Sequence, residues 1–212
     1  MPLRQLSPIG GRASLVLAAA ALFAALPSAA RAQDSMPAMP GMSGQHAITI
    51  PPGAEYTVAD VEFMQGMIAH HAQAIYMSQI AAAHHASARL LRLATKIDQS
   101  QVSEIAIMQN WLRQNGQFAP DTSSWHTMHM AGMLSDAQIR ALDAVTGEAF
   151  DRAYLAGMIQ HHEGALTMVK DLFAVPRAGQ EVNVNVFAND VVTVQTAEIG
   201  IMEQMQSQLA DK

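Results

Sequence analysis

Two stretches of the chain set the same side chains in the same frame: GMIAHHAQAIYM at residues 66–77 and GMIQHHEGALTM at residues 157–168. Each holds adjacent histidines, His70 with His71 and His161 with His162. A methionine precedes each pair (Met67, Met158) and another follows it (Met77, Met168). Imidazole nitrogen and thioether sulfur are borderline and soft donors, a set that selects copper and Cu(I) in particular. On a helix turning 100° per residue, Met67, His70, His71 and Ala74 share one face with Phe63, and Met64 and Met77 flank it. Both rings are therefore expected in an apolar interior, where an unpartnered imidazole costs about 1–3 kcal/mol. Core histidines satisfied by Glu104 or a backbone carbonyl are the plain alternative. Duplication of the pair together with its neighbours favours ligands, because adjacent rings span both flanks of the stripe and one can face each neighbouring helix. Met67 and His71 lie one turn apart and can share an ion. Met77 stands seven residues beyond His70, about 10.5 Å along the axis, and marks a second level.

Further methionines and histidines gather outside this frame. The segment WHTMHMAGM carries His126, Met128, His129, Met130 and Met133, and a stretch nearer the N-terminus carries Met36, Met39, Met42 and His46. An exposed loop gains nothing by burying methionine, so these are expected to be additional, weaker ligands. His84 and His85 have no counterpart in the second stretch and are weaker candidates.

Composition points the same way. The 212 residues include 15 methionines and no cysteine, and aromatic residues make up only 5%. Without cysteine there are no thiolate metal sites, iron–sulfur clusters or covalently attached haem. Thioether binds Cu(I) without a thiol's liability to oxidation. Residues 1–32 read as an export signal: Arg4 and Arg12, a short apolar run, and Ala30-Arg31-Ala32 as the cleavage site, with Gln33 the new N-terminus. Cleavage there removes Arg4, Arg12 and Arg31 and no acid. Nine of the twelve basic residues then face eighteen acidic ones, a net of −9. That field attracts cations and repels nucleic acid and anionic lipid. The mature protein is expected to be soluble and periplasmic, with no membrane contact after cleavage.

The elements that position the histidines follow from periodicity and capping. Residues 33–55, rich in Met, Pro and Gly, are expected to be a disordered leader. An amphipathic helix begins at Thr57, with Asp60 in its first turn, and runs to about Ala86 on the stripe Val61, Met64, Ile68, Ile75 and Ile80. A second follows Ser87 and stops at Asn115-Gly116. A short helix opens on a Ser135/Gln138 capping box, and a third long helix spans residues 149–173. The alternating EVNVNVF reads as loop running into a fourth long helix, because QVSEIAIM at 101–108 recurs as QTAEIGIM at 195–202. The first helices match at a shift of 91 residues and the second at 94. The fold expected is all-α, a four-helix bundle built from two duplicated hairpins, with halves at 56–116 and 148–210 and a linker at 117–147.

The doubled M-x-x-H-H-x-x-A-x-x-M, each followed by Q-x-x-E-I-x-x-M, resembles the family labelled domain of unknown function 305. That resemblance covers roughly residues 56–210. It implies a ferritin-like four-helix bundle and, by its CopM-type periplasmic members, copper binding linked to copper resistance. Residue by residue it implies the ligands Met67, His70, His71, Met77, Glu104 and Met108, then Met158, His161, His162, Met168, Glu198 and Met202. The function expected is sequestering, buffering or delivering copper, Cu(I) favoured, with copper-exporting or copper-accepting periplasmic proteins as partners. A di-iron centre needs E-x-x-H motifs, and the chain has none. Non-covalent haem and an inert helical interaction module remain as alternatives. No nucleophile–base pair or phosphate loop stands out, so no catalytic role is assigned.

Overall fold

The computed structural model describes residues 47–210. Residues 1–32, read above as an export signal, and Met36, Met39, Met42 and His46 lie outside them. The described chain is all-helical, without strands: α1 (Val58–Ile80), α2 (Ala88–Gln114), α3 (Asp136–Asp143), α4 (Glu148–Ala174) and α5 (Val182–Ala210). One turn of 3-10 helix, Thr122–His126, lies in the linker. None of the described helices is long and apolar enough to cross a membrane.

The sequence's start and stop signals operate as expected. Thr57 and Asp60 form a reciprocal capping box at α1, and Ser135 and Gln138 form one at α3. The Ser87 hydroxyl caps α2 by accepting from the Leu90 amide. At the far end of α2, Gly116 adopts φ +65°, which lets the Gln117 amide reach back to the Leu112 carbonyl at 2.8 Å. This satisfies a terminal carbonyl that the helix itself cannot pair. EVNVNVF enters α5 at Val182. The first helix is shorter than expected, ending at Ile80 and passing through a turn in which His85 takes φ +54°.

Helix α1 packs against α2, and α4 against α5; the two hairpins meet through α1 and α4. Two apolar clusters result, and all four long helices contribute to both. One gathers Phe63, Met67, Met108, Trp111, Met168 and Phe187; the other gathers Met77, Leu90, Phe150, Tyr154, Met158 and Met202. Buried polar residues separate them along the helices: His161 and His162 on α4, Gln101 on α2, Gln195 and Glu198 on α5, with His70 and His71 opposite on α1.

Helix α1 departs from the amphipathic expectation. Every residue from 63 to 75 is buried, so no solvent face remains on that stretch. The cause is the linker, whose 3-10 turn packs directly on α1 and covers the side that would otherwise be wet. The polar residues on that stretch, Gln65, His70, His71 and Gln73, are buried with the rest.

Two buried carboxylates lock the hairpins together. Asp60 of α1 accepts from the Gly179 amide at 2.6 Å, in the turn between α4 and α5. Asp151 of α4, its counterpart at the 91-residue shift, accepts from the Ser87 amide at 3.1 Å, in the turn between α1 and α2. Each hairpin's first helix thus holds the other hairpin's turn.

The linker's backbone lies directly on α4. A Cβ on Gly164 would collide with the Ala131 carbonyl oxygen, while one on Gly200 of α5 would meet nothing. Gly200→Ala should raise stability by about 0.5–1 kcal/mol, the ordinary helix gain, whereas Gly164→Ala should lower it by more than that gain. Chemical denaturation of both variants at neutral pH checks the contrast, and equal effects would contradict the packing described.

A candidate metal centre of imidazoles and thioethers

The four histidines of the repeated motif are fully buried. His70 donates from Nε2 to the Ala131 carbonyl at 3.1 Å, and His161 donates from Nε2 to the His70 carbonyl at 2.9 Å. A carbonyl oxygen only accepts, so in the neutral ring the proton sits on Nε2 and Nδ1 keeps its lone pair. His71 and His162 direct Nε2 at Glu104 and Glu198, at 2.6 and 2.9 Å. A carboxylate behind a histidine fixes the ring's orientation and makes its other nitrogen a better donor. The satisfied-core alternative therefore accounts for Nε2 in all four rings. It leaves Nδ1 in all four buried with no protein partner.

Adjacent histidines face different neighbours, as the spacing on the helix requires. His70 reaches the linker and His71 reaches α2, while His161 reaches α1 and His162 reaches α5. The rings of His70 and His161 lie 3.7 Å apart between centroids, tilted by 38°. Each stands over 6 Å from the ring of its own sequence neighbour. Burial pushes the pKa of His70 and of His161 well below the ordinary 6.5, and the other nearby imidazoles push it further. Both rings stay neutral at physiological pH and keep the Nδ1 lone pair available.

The six motif methionines are all buried, but the structure groups them across the two hairpins. Met67 and Met108 share a cluster with Met168; Met158 and Met202 share the other with Met77. Met77 thus packs in the cluster that holds Met158 and Met202 of the second hairpin. Among the described residues no three His, Asp or Glu side chains gather as a metal site.

The linker residues behave differently from one another. His126 and His129 are exposed, with the His126 ring tilted by 31° against Trp125 at 3.8 Å between centroids. Met128 and Met133 are half-buried against the core, and Met130 is only 6% exposed. The expectation that these methionines are exposed fails for Met130, which enters the core beside Gly66 of α1 and Met168 of α4. The Met133 sulfur accepts the Met130 amide at 3.2 Å. His84 is a packing residue, with Nδ1 bonded to the Val145 carbonyl at 2.7 Å and its ring stacked on Phe150.

Sequence reasoning missed the glutamines. Gln101 and Gln195 are buried, and neither the nitrogen nor the oxygen of either side chain has a protein partner. The signal was present, since each opens the repeated Q-x-x-E one turn before the glutamate that holds a histidine. Gln73 also went unmarked. It brackets Leu134 of the linker, donating to its carbonyl at 2.9 Å and accepting its amide at 2.7 Å.

Comparison with known proteins follows from this geometry. The family model described as Domain of unknown function (DUF305) matches residues 60–206, well over half of the chain. The chain belongs to this family. Solved DUF305 structures share its helical fold. One, from Streptomyces coelicolor and named as a secreted protein, is 28% identical over 74% of this chain and 96% of its own, with TM-score 0.63. A DUF305 fragment from Deinococcus radiodurans is 29% identical over 72% and 98%, also with TM-score 0.63. CopM in its Cu(I)-bound form is 27% identical over 70% of this chain and 96% of CopM, with TM-score 0.57. CopM structures with Cu(II), with silver and without metal match as well. No curated protein matches the chain.

The buried His70 and His161 should make this DUF305 protein less stable in acid. The native pKa of His70 and His161 lies below 6.5, so on acidification the unfolded chain binds protons before the folded one does. Stability of the metal-free protein should hold above pH 6.5. Below that it should fall by about 1.4 kcal/mol per histidine per pH unit until the native values are reached. Urea denaturation from pH 7.5 to 5 measures the slope, and His161→Gln should reduce it by about half. A flat profile would contradict the burial of these rings.

Proposed function

We propose that this DUF305 protein binds copper in the periplasm, sequestering or delivering it through two buried sites that each combine thioether and imidazole donors. The observation that carries this reading is the set of four buried Nδ1 atoms without protein partners, on helices whose buried methionines fall into two apolar clusters. Met67, Met108 and Met168 with His71 form one donor set; Met77, Met158 and Met202 with His162 form the other. His70 and His161 stand between them. Glu104 and Glu198 act as orienting groups for His71 and His162. The two hairpins form a ferritin-like four-helix bundle in this reading. The likeness to CopM, solved with copper and silver ions, supports the metal class.

Thioether donors favour Cu(I) over the harder divalent ions. Copper is cargo here and no catalysis is assigned. The ring contact of His70 with His161 leaves no gap for a porphyrin between those two histidines. Export rests on the signal at residues 1–32, and a mature N-terminus at Gln33 is read directly by mass spectrometry of the secreted protein.

Because each donor set draws on both hairpins, Met67→Leu and Met168→Leu should weaken the same site. Their combined effect on Cu(I) affinity should be clearly less than the sum of the two. Met67→Leu with Met158→Leu, in different sites, should add within about 0.5 kcal/mol. Anaerobic competition titration against a Cu(I) chelator measures this, with X-ray absorption expected to show mixed sulfur and nitrogen ligation. Additivity for the first pair would mean that each hairpin binds metal by itself. Failure to bind Cu(I) at all would overturn the copper reading.

A further inference from the structure

The two copies of the motif carry a glycine at the same place, Gly66 on α1 and Gly157 on α4, and the linker fills the space beside each. What it supplies differs. A Cβ built on Gly66 would stand 2.7 Å from the sulfur of Met130 and 3.5 Å from the methyl of Met168. A Cβ built on Gly157 would stand 3.0 Å from a methyl of Leu134. One copy therefore receives a thioether and the other a branched hydrocarbon. Met130 belongs to the same cluster as Met67, Met108 and Met168, while Leu134 belongs to that of Met77, Met158 and Met202.

The register that produces this difference is firmly held. His70 donates to the Ala131 carbonyl, Gln73 brackets the Leu134 backbone, and Gln160 donates to the Gly132 carbonyl at 3.2 Å. Gly132, at φ +77°, lies backbone to backbone on Gly164. Residues 130 and 134 cannot exchange places without breaking these bonds.

Resting on the copper reading above, we infer that the two sites are unequal, and that Met130 is a further thioether donor completing the site of Met67, Met108 and Met168. The site of Met77, Met158 and Met202 has Leu134 at the matching position and lacks this donor. The linker is thus the specificity element, making one site the tighter holder of a soft monovalent ion and leaving the other weaker and more readily emptied.

Three full-length variants test this by anaerobic Cu(I) competition titration. The wild type should show two affinities. Met130→Leu, which keeps bulk and removes sulfur, should weaken the tighter site by roughly tenfold or more and bring the two together. Leu134→Met should tighten the weaker one. Gly66→Ala should act like Met130→Leu, because its new methyl displaces the flexible end of Met130. X-ray absorption should show fewer sulfur neighbours per copper in Met130→Leu, and thermal melting of the metal-free proteins identifies any variant that fails to fold. Two unequal affinities unaffected by Met130→Leu would overturn the inference while leaving copper binding intact, with Met130 a packing residue. A wild type that binds no Cu(I) would overturn both.

Discussion

Four imidazoles are removed from water with only one nitrogen each provided for, and much of the molecule is arranged around that fact. His70 and His161 use backbone carbonyls, which fixes which nitrogen carries the proton. His71 and His162 use carboxylates from the adjoining helices. The carbonyl to which His70 donates at 3.1 Å belongs to the linker rather than to a long helix. It comes from Ala131, so the linker must lie against α1 and α4 at that level. The closeness of Gly132 to Gly164 and the glutamine bonds from both helices follow from this placement.

The departures from the repeat follow the same logic. Gln73 and Gly164 occupy matching positions at the 91-residue shift, as do Ala69 and Gln160. A single linker crosses two related helices, so it cannot meet both in the same way. On α1 it is held by the Gln73 side chain; on α4 it is admitted by the missing side chain of Gly164 and held by Gln160. Identity is kept where the two helices do the same task, at the histidines and methionines, and lost where only one of them touches the linker.

Much of this was legible in the sequence, for identifiable reasons. Capping residues placed the helix starts at Thr57, Ser87 and Ser135, since an orphan amide is satisfied by local chemistry. Helical periodicity put the paired histidines inside and facing different neighbours. The recurrence of Gln, Glu, Ile and Met recovered α5 from a stretch with strand-like alternation. What stayed hidden was non-local. No pattern along α1 says that a distant segment covers its outer face, so its solvent side was expected and is absent. For the same reason Met130 read as a surface residue, and nothing in the sequence paired Met67 with Met168. Antiparallel packing of α1 on α4 brings Met168 to the level of Met67, which only the register of the two helices can reveal.

The paired aspartates, Asp60 on Gly179 and Asp151 on Ser87, bear on the chain's symmetry as well as its cohesion. A solitary hairpin would carry an aspartate with no turn to hold and a turn with no aspartate to hold it. Two identical copies side by side would supply each other's need by the same bond made twice. A two-fold pair of identical hairpins would therefore be self-consistent, and the present chain has the form of such a pair made continuous. Continuity permits something the pair could not have. A lone strap across one side has no symmetry mate, so it can exist only once the two copies are joined, and from then on they are free to diverge in task.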